Sequence, residues 1–119
     1  MATYSKKILS GSTDGRGIKV AASATPGTTI HTGASATATL QEVWLWASNP
    51  GATSYTLTVE WGGTSDPDDR IILSVPADQG LTLVSPGLVL KGNGTPLVIK
   101  AFASTANQVT LFGYVNEVS

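Results

Sequence analysis

The chain has 119 residues, of which 41% are hydrophobic and only 13% are charged, and its formal net charge is −1 at pH 7. A chain of this length forms one domain and buries its own core without metal or disulfide cross-links. Its Lys and Arg residues form no cluster, which argues against nucleic-acid binding, because that function needs a concentrated basic patch.

The hydropathy of the chain argues against a membrane location. No apolar run approaches the roughly 20 residues of a membrane-spanning helix. The first ten residues lack the long apolar core of a secretory signal peptide. We therefore expect a protein that is made and used without export through the secretory pathway.

Residues 1–15 are predicted to form an extended N-terminal arm that precedes a folded domain of residues 16–119. After the initial Met, its only sizeable apolar side chains are Tyr4, Ile8 and Leu9. Ordering about 15 backbones costs roughly 15–30 kcal/mol, whereas burying three such side chains returns about 5–9 kcal/mol. The arm is therefore expected to order only by joining a sheet or by lying on a neighbouring subunit.

The rest of the chain is predicted as a succession of short β-strands. β-Branched and aromatic residues dominate segments of about five to eight residues, and Gly, Pro, Asn or Asp separate them. No stretch keeps the apolar spacing of a long helix without an interrupting Gly or Pro. This pattern predicts an all-β, single-domain β-sandwich, of which the jelly roll is one arrangement. The predicted strands cover residues 16–22, 29–32, 41–48, 55–61, 70–75, 81–84, 88–90, 97–103 and 108–115.

Residues 41–61 hold all three tryptophans and are predicted as a central pair of strands. In the second strand, apolar residues alternate with threonines and Glu60, which predicts one buried face and one solvent face. In the first strand, Trp44 and Trp46 point to one side and aliphatic residues to the other. A strand that is apolar on both faces must be covered on both. In so small a chain, the expected second cover is another copy of the protein.

Two later strands are also apolar on both faces. Phe102 opposes aliphatic neighbours in one, and Phe112 and Tyr114 do so in the other. A surface with few charges suits a protein that packs into an assembly, and obligate interfaces between identical subunits resemble a core in composition. We therefore predict a homo-oligomer. The candidate interface residues are Tyr4, Ile8, Leu9, Trp44, Trp46, Phe102, Phe112 and Tyr114.

Candidates for catalysis or ligation are weak. The single histidine, His31, has no acid nearby in sequence and is more simply a partly buried or interface residue. The acidic run 66–69 clusters carboxylates as a calcium site does, but it lacks the EF-hand spacing, and Asp and Pro also form ordinary turns. The glycine-rich stretch 11–17 matches neither nucleotide-binding pattern, so a hinge is the simpler interpretation. The sequence therefore predicts a non-enzymatic protein without a catalytic, cofactor or metal site.

The aromatic residues suggest a function of another class, which is carbohydrate binding, because aromatic rings stack on sugars in carbohydrate-binding β-sandwiches. Trp44, Trp46, Trp61 and Tyr55 are the residues in question. Aromatic residues at every second position of a strand are more often packed than displayed. Packing in the core or in an interface is therefore the favoured prediction, and a carbohydrate-binding module is the alternative.

Three groups of segments combine turn glycines with strand aromatics over nearly the whole chain. They are residues 9–20 with 27–32, residues 42–45 with 59–63, and residues 86–88 with 100–103 and 112–116. These segments resemble a group of small virion structural proteins of tailed bacteriophages. The resemblance implies a non-enzymatic particle component. Capsid decoration proteins, which commonly sit as trimers on the outside of the head and clamp neighbouring capsomers, fit best.

The resemblance also implies location and partners. The protein would be made in the host cytoplasm and would lie on the capsid exterior of the virion, with the major capsid protein and two further copies of itself as partners. A tail, neck or fibre component is the alternative within the same class. We expect the arm to reach a neighbouring subunit or the major capsid protein, so that removal of residues 1–15 leaves the fold intact but weakens particle binding.

Overall fold

The computed structural model describes residues 2–119, which form two antiparallel sheets packed face to face and contain no helix. The strands are β1 (Tyr4–Ile8), β2 (Ile18–Lys19), β3 (Thr28–Thr32), β4 (Leu40–Ser48), β5 (Tyr55–Trp61), β6 (Arg70–Val75), β7 (Leu81–Lys91), β8 (Val98–Ala103) and β9 (Thr110–Val118).

The strands pair as nested hairpins that are rolled into the sandwich. β2 pairs with β9, β3 with β8, β4 with β7, and β5 with β6. Contacts of β4 with β9 and of β5 with β8 then join these pairs into two sheets. The front sheet has the order β1-β9-β4-β7, with β2 also on β9, and the back sheet has the order β3-β8-β5-β6. The predicted all-β sandwich is confirmed, and its strand order is that of a jelly roll.

The core lies between the two sheets and is built from alternate residues of the long strands. Val43 and Leu45 of β4 are fully buried, and Leu57 of β5 belongs to the same cluster from the back sheet. Because successive side chains of a strand point to opposite faces, Trp44 and Trp46 lie on the outside of the front sheet. The two-sided strand predicted from the sequence is therefore present, with one of its faces in the core.

The N-terminal segment differs from the predicted separate arm because it is part of the front sheet. β1 pairs along its length with the C-terminal half of β9, so the segment orders by joining a sheet, one of the two expected routes. Leu9 is only 1% exposed and belongs to the core, so the fold has no division at residue 15. Loss of a buried leucine costs about 2–5 kcal/mol. The prediction that residues 1–15 are dispensable for folding is therefore corrected, and only the exposed strand β1 remains a candidate for removal.

β7 is one continuous strand of 11 residues, whereas the sequence predicts two short strands with a turn between them. It forms an edge of the front sheet, since it pairs only with β4. Proline is tolerated in edge strands and at bulges. The register shifts on both sides of Pro86, so two bulges accommodate the residue that lacks an N–H group.

The solvent face predicted for β5 is covered by the loop of residues 20–27, which joins β2 to β3. Glu60 is fully buried there instead of exposed. Its carboxylate accepts one hydrogen bond from the Thr25 hydroxyl and another from the Gly27 backbone N–H, each 2.6 Å long. The buried carboxylate therefore fastens the loop to the back sheet. Strand alternation did not reveal this cover because the loop comes from a distant part of the chain.

Replacing Glu60 by alanine leaves both donors of the loop without an acceptor. We expect Glu60→Ala to lower the free energy of unfolding by about 2–5 kcal/mol, and Thr25→Val, which removes one bond, to lower it by about 1 kcal/mol. Urea denaturation measures both changes. Asp68→Asn alters an exposed carboxylate and is the control, with an expected change within about 0.5 kcal/mol. A loss for Glu60→Ala no larger than that of the control would contradict the proposed role of the carboxylate.

Candidate functional site

We call the outer surface of the front sheet the aromatic face. Several large apolar side chains on it are about half exposed, among them Leu81 at 57%, Leu83 at 48% and Val89 at 56%. No second layer of the described chain covers it. The outward side chains that define it are Tyr4, Lys6 and Ile8 of β1, Phe112, Tyr114, Asn116 and Val118 of β9, Leu40, Glu42, Trp44 and Trp46 of β4, and Leu81, Leu83 and Val89 of β7.

Trp44, Trp46 and Tyr114 form a stacked triad at the centre of the aromatic face. The ring centroids are 5.9 Å apart for the two tryptophans, 6.4 Å apart for Trp44 and Tyr114, and 6.1 Å apart for Trp46 and Tyr114. Offset stacking at such distances contributes about 0.5–1.5 kcal/mol per pair beyond the burial of area. The Lys6 ammonium lies 4.8 Å from the centre of the Tyr114 ring and adds a cation–π contact. The triad is therefore a fixed apolar surface.

Two glycines allow the triad to form. A Cβ atom at Gly113 would overlap the carbonyl oxygen of Trp44, so only glycine lets β9 approach β4 at this point. Gly87 has a φ of +82°, and a Cβ atom there would come within 3.0 Å of the Trp44 indole. Glycine adopts this left-handed conformation without steric cost and leaves room for the ring.

A groove of about 510 Å³ opens at one end of the aromatic face, beside the triad. Its polar lining includes Glu42 of β4 and Asn116 of β9, which lie directly opposite each other on the two central strands, together with Ser5, Lys6 and Glu117. Its apolar lining comes from four strands of the front sheet. The apolar residues are Tyr4, Leu40, Val89 and Val118.

The Glu42 carboxylate is held in place by two hydrogen bonds to one of its oxygens. Oε1 accepts the indole N–H of Trp44 at 2.6 Å and the side-chain N–H of Asn116 at 3.2 Å. The bond from Trp44, and secondarily the bond from Asn116, lower the pKa of Glu42 below its ordinary value. The groove therefore contains an oriented carboxylate that stays ionised to lower pH than an ordinary glutamate.

A second polar group, the His31 network, runs from the core to the surface at the side of the sandwich. The Ser10 backbone N–H donates to His31 Nδ1 at 3.0 Å, and His31 Nε2 lies 2.7 Å from Gln41 Oε1. Gln41 Nε2 donates to Glu117 Oε1 at 2.9 Å, and the other Glu117 oxygen pairs with Lys7 Nζ at 2.8 Å. Because Nδ1 accepts a hydrogen bond, the proton of the neutral ring lies on Nε2 and is donated to Gln41.

The structure favours the structural interpretation of His31. Its ring is buried, and both ring nitrogens are engaged by groups of the protein. Burial is the main cause that lowers the pKa of His31, although the hydrogen bond to Gln41 opposes it. The ring is therefore neutral at pH 7, and it links the segment after β1 to β3 and β4.

Six of the eight predicted interface residues lie on the aromatic face. Leu9 is corrected, because it is a core residue and cannot line an outer surface of this fold. Phe102 lies on the outer side of the back sheet, where the Arg70 guanidinium is 5.4 Å from the centre of its ring. The six that share the face are Tyr4, Ile8, Trp44, Trp46, Phe112 and Tyr114.

Sequence reasoning missed the residues that complete this face. Leu81 and Leu83 alternate with Thr82, a pattern that already indicated one apolar side of a strand, but which sheet the strand joins was not readable. Glu42 and Asn116 carried no signal, since they meet only through the register of β4 and β9.

The four aromatic residues considered for sugar stacking do not share a surface. Tyr55 and Trp61 pack against the core from the back sheet, whereas Trp44 and Trp46 lie on the aromatic face and stack on each other. The carbohydrate-binding alternative therefore retains two of its four residues, and their rings already contact one another.

The acidic run of residues 66–69 makes contacts within its own loop. Asp66 pairs with Arg70 at 3.5 Å, and Asp69 accepts the backbone N–H of Ser65 at 3.0 Å. Within residues 2–119, no group of three or more His, Cys, Asp or Glu side chains is placed to hold a metal ion. The same residues include no helix that is long and apolar enough to span a membrane.

The His31 network predicts a loss of stability at mildly acidic pH. A histidine whose pKa is lowered by folding stabilises the fold above its unfolded pKa of 6.5, and this contribution is lost as the pH falls below that value. Glu117, whose pKa is lowered mainly by Lys7 and then by Gln41, adds a further loss only below about pH 4.5. We expect the free energy of unfolding, measured in urea, to fall between pH 7.5 and 5.5, and the fall to be absent in His31→Gln. An equal fall in that variant would show that another group is responsible.

Comparison of the chain with protein-family models, with curated proteins and with solved structures finds no match. The aromatic face and the resemblance of the sequence segments are therefore the observations from which a function is inferred.

Proposed function

We propose that this chain is a non-enzymatic structural protein of a phage virion, which decorates and stabilises the outer surface of the capsid as a homo-oligomer, with a trimer expected. The uncovered aromatic face is the observation that carries the assembly part of this proposal. The virion setting is supported by the resemblance of the sequence to small structural proteins of tailed phages.

The aromatic face is large enough to form most of one side of an interface. Four strands in width, because β1 and β2 follow one another along the same edge of β9, and nine residues in length, the face measures about 19 Å by 30 Å, or about 570 Å². The largest apolar patch of an ordinary monomer covers about 300–600 Å². A standard interface buries about 800 Å² on each partner. The face is therefore at the upper end of the range for a monomer and supplies most of one side of a standard interface.

The composition of the face supports the same role. Trp44, Trp46 and Tyr114 occupy its centre, and its charged residues, Lys6 and Glu42, lie toward one end. An apolar, aromatic centre with polar groups at the margin is typical of protein interfaces. Tryptophan and tyrosine also contribute disproportionately to binding free energy. A second copy of this chain is the occupant that we propose. In a closed trimer, the aromatic face of each copy contacts a different surface of the next copy, and this one contact repeats about the axis.

β1 is the segment that we propose to contact the major capsid protein or a neighbouring subunit. All five of its side chains are exposed, and it forms an edge of the front sheet. An edge strand presents unpaired N–H and C=O groups that can pair with another chain. Many modest contacts of this kind, repeated by each copy over a shell, hold a decoration protein through avidity.

A charge placed on the aromatic face is expected to separate the copies. Leu83, opposite Trp46 on β7, is replaced in Leu83→Glu. The control is Ile72→Glu, which changes a side chain that is 60% exposed on the back sheet. Light scattering of the unaltered protein and of the control should give the mass of three 12.2 kDa chains, and Leu83→Glu should give that of one. A monomeric unaltered protein, or an oligomer unchanged by Leu83→Glu, would contradict the assembly part of the proposal.

Removal of β1 tests the attachment to the particle. Deletion of residues 2–8 keeps Leu9 in the core, so we expect the shortened chain to fold and to bind expanded heads that lack the protein at least tenfold more weakly, because multivalent contact amplifies a small loss per copy. Sedimentation with the heads measures binding, and circular dichroism checks the fold. Equal binding by both chains would exclude β1 from the contact. Electron microscopy of labelled particles adds the location, and density at the tail alone would favour the tail, neck or fibre alternative.

A further inference from the structure

The groove at the end of the aromatic face has acceptor groups without partners. Glu42 Oε1 takes the two hydrogen bonds described above, whereas Oε2 accepts none from the chain over residues 2–119. Asn116 uses its N–H group on Glu42, so its amide oxygen is also free of a side-chain partner there. We infer that this groove, which lies at the end of the aromatic face beyond the triad that a second copy covers, binds an arginine side chain presented by a different partner protein.

Two features of the groove select a positively charged side chain with an apolar stem. The Glu42 carboxylate supplies a negative charge. The apolar residues of the groove supply a surface along which the methylene groups of the bound side chain can lie, and they are Tyr4, Leu40, Val89 and Val118. Tyr4 is 76% exposed, so its ring is available for stacking at the rim. A volume of about 510 Å³ lies within the range of pockets that hold small ligands.

Arginine fits these acceptors better than lysine. Glu42 and Asn116 are direct neighbours across β4 and β9 and both line the groove, so the groove contains more than one acceptor oxygen. A guanidinium group is planar and has five N–H donors in a fixed fork, whereas an ammonium is a compact point charge. The guanidinium also stacks on aromatic rings, which suits the position of Tyr4.

The charged neighbours of Glu42 do not neutralise it. Glu117 and Lys7 pair with each other at 2.8 Å. The Lys6 ammonium is directed over the Tyr114 ring, 4.8 Å from its centre, and makes no ion pair with Glu42. Lys6 nevertheless lines the groove, so its positive charge weakens binding of a cation, and its removal should strengthen that binding.

The identity of the partner as a particle protein rests on the proposed function, but the chemistry of the groove does not. The test therefore uses a small probe, N-acetyl-arginine amide, and its uncharged analogue N-acetyl-citrulline amide. Two-dimensional NMR spectra follow the Trp44 indole and Asn116 amide signals during titration. We expect a dissociation constant on the order of 1 mM for the arginine probe and binding at least about tenfold weaker for the citrulline probe, because a hydrogen bond to a charged group is worth that much.

Variants locate the contact. Glu42→Gln keeps an oxygen for Trp44 and Asn116 but turns a donor toward the groove, and it should weaken binding about tenfold or more. Lys6→Gln should strengthen binding about twofold. Asp68→Asn, which makes the same change of charge as Glu42→Gln but on a distant loop, should leave binding unchanged. Equal binding of the two probes, or equal binding by Glu42→Gln, would overturn the inference. A third result would also overturn the inference. If N-acetyl-glutamate amide binds and Lys6→Gln abolishes that binding, the groove is a site for anions.

Light scattering of the same samples separates this inference from the proposed function. Glu42→Gln should remain a homo-oligomer while it loses the probe. Its dissociation into monomers would overturn the assignment to a different partner protein, and would indicate that the groove belongs to the contact between copies. A monomeric unaltered protein that still binds the arginine probe would contradict the homo-oligomer and leave the arginine site supported.

Discussion

The structure depends on one strand that is apolar on both of its faces and is covered on only one. The inner side chains of β4 lie in the core of the sandwich, where they are fully buried. The outer ones, Trp44 and Trp46, are partly buried by their neighbours on the same sheet, chiefly by each other and by Tyr114. Apolar area left in water forgoes about 25 cal/mol per Å², so a partner that covers this face gains a large driving force. The proposal of an assembling protein follows from this asymmetry of the front sheet.

The jelly roll explains why the uncovered surface is so extensive. Nested pairing brings β4 and β9, two long strands with aromatic outer sides, next to each other at the centre of one sheet. Jelly rolls occur in viral capsid proteins and in lectins, so the fold accommodates both the virion proposal and the carbohydrate alternative and does not choose between them. The distribution of the aromatic residues does favour one, because two of the four proposed sugar-stacking residues belong to the core side of the back sheet.

Local sequence patterns predicted the class of fold and the central aromatic residues. The features that these patterns did not predict depend on contacts between distant parts of the chain. Alternation and turn residues identified eight of the nine strand regions, with β7 divided at Pro86. They placed Glu60 in solvent because the loop that buries it is 33–35 residues away in sequence. They assigned Leu9 to an arm because one leucine in a polar segment gives no sign of the core that it enters. Glu42 and Asn116 became a site only through strand register, which a single sequence does not reveal.

The account requires that the aromatic face is covered in the assembled protein, and hydroxyl-radical footprinting read by mass spectrometry measures this directly. It predicts that oxidation of Trp44, Trp46 and Tyr114 slows as the protein concentration is raised through the range in which copies associate. Oxidation of Ile72, which lies on the outer side of the back sheet, should stay constant. Oxidation of the three rings at one unchanged rate over the whole concentration range and on the particle would contradict the account.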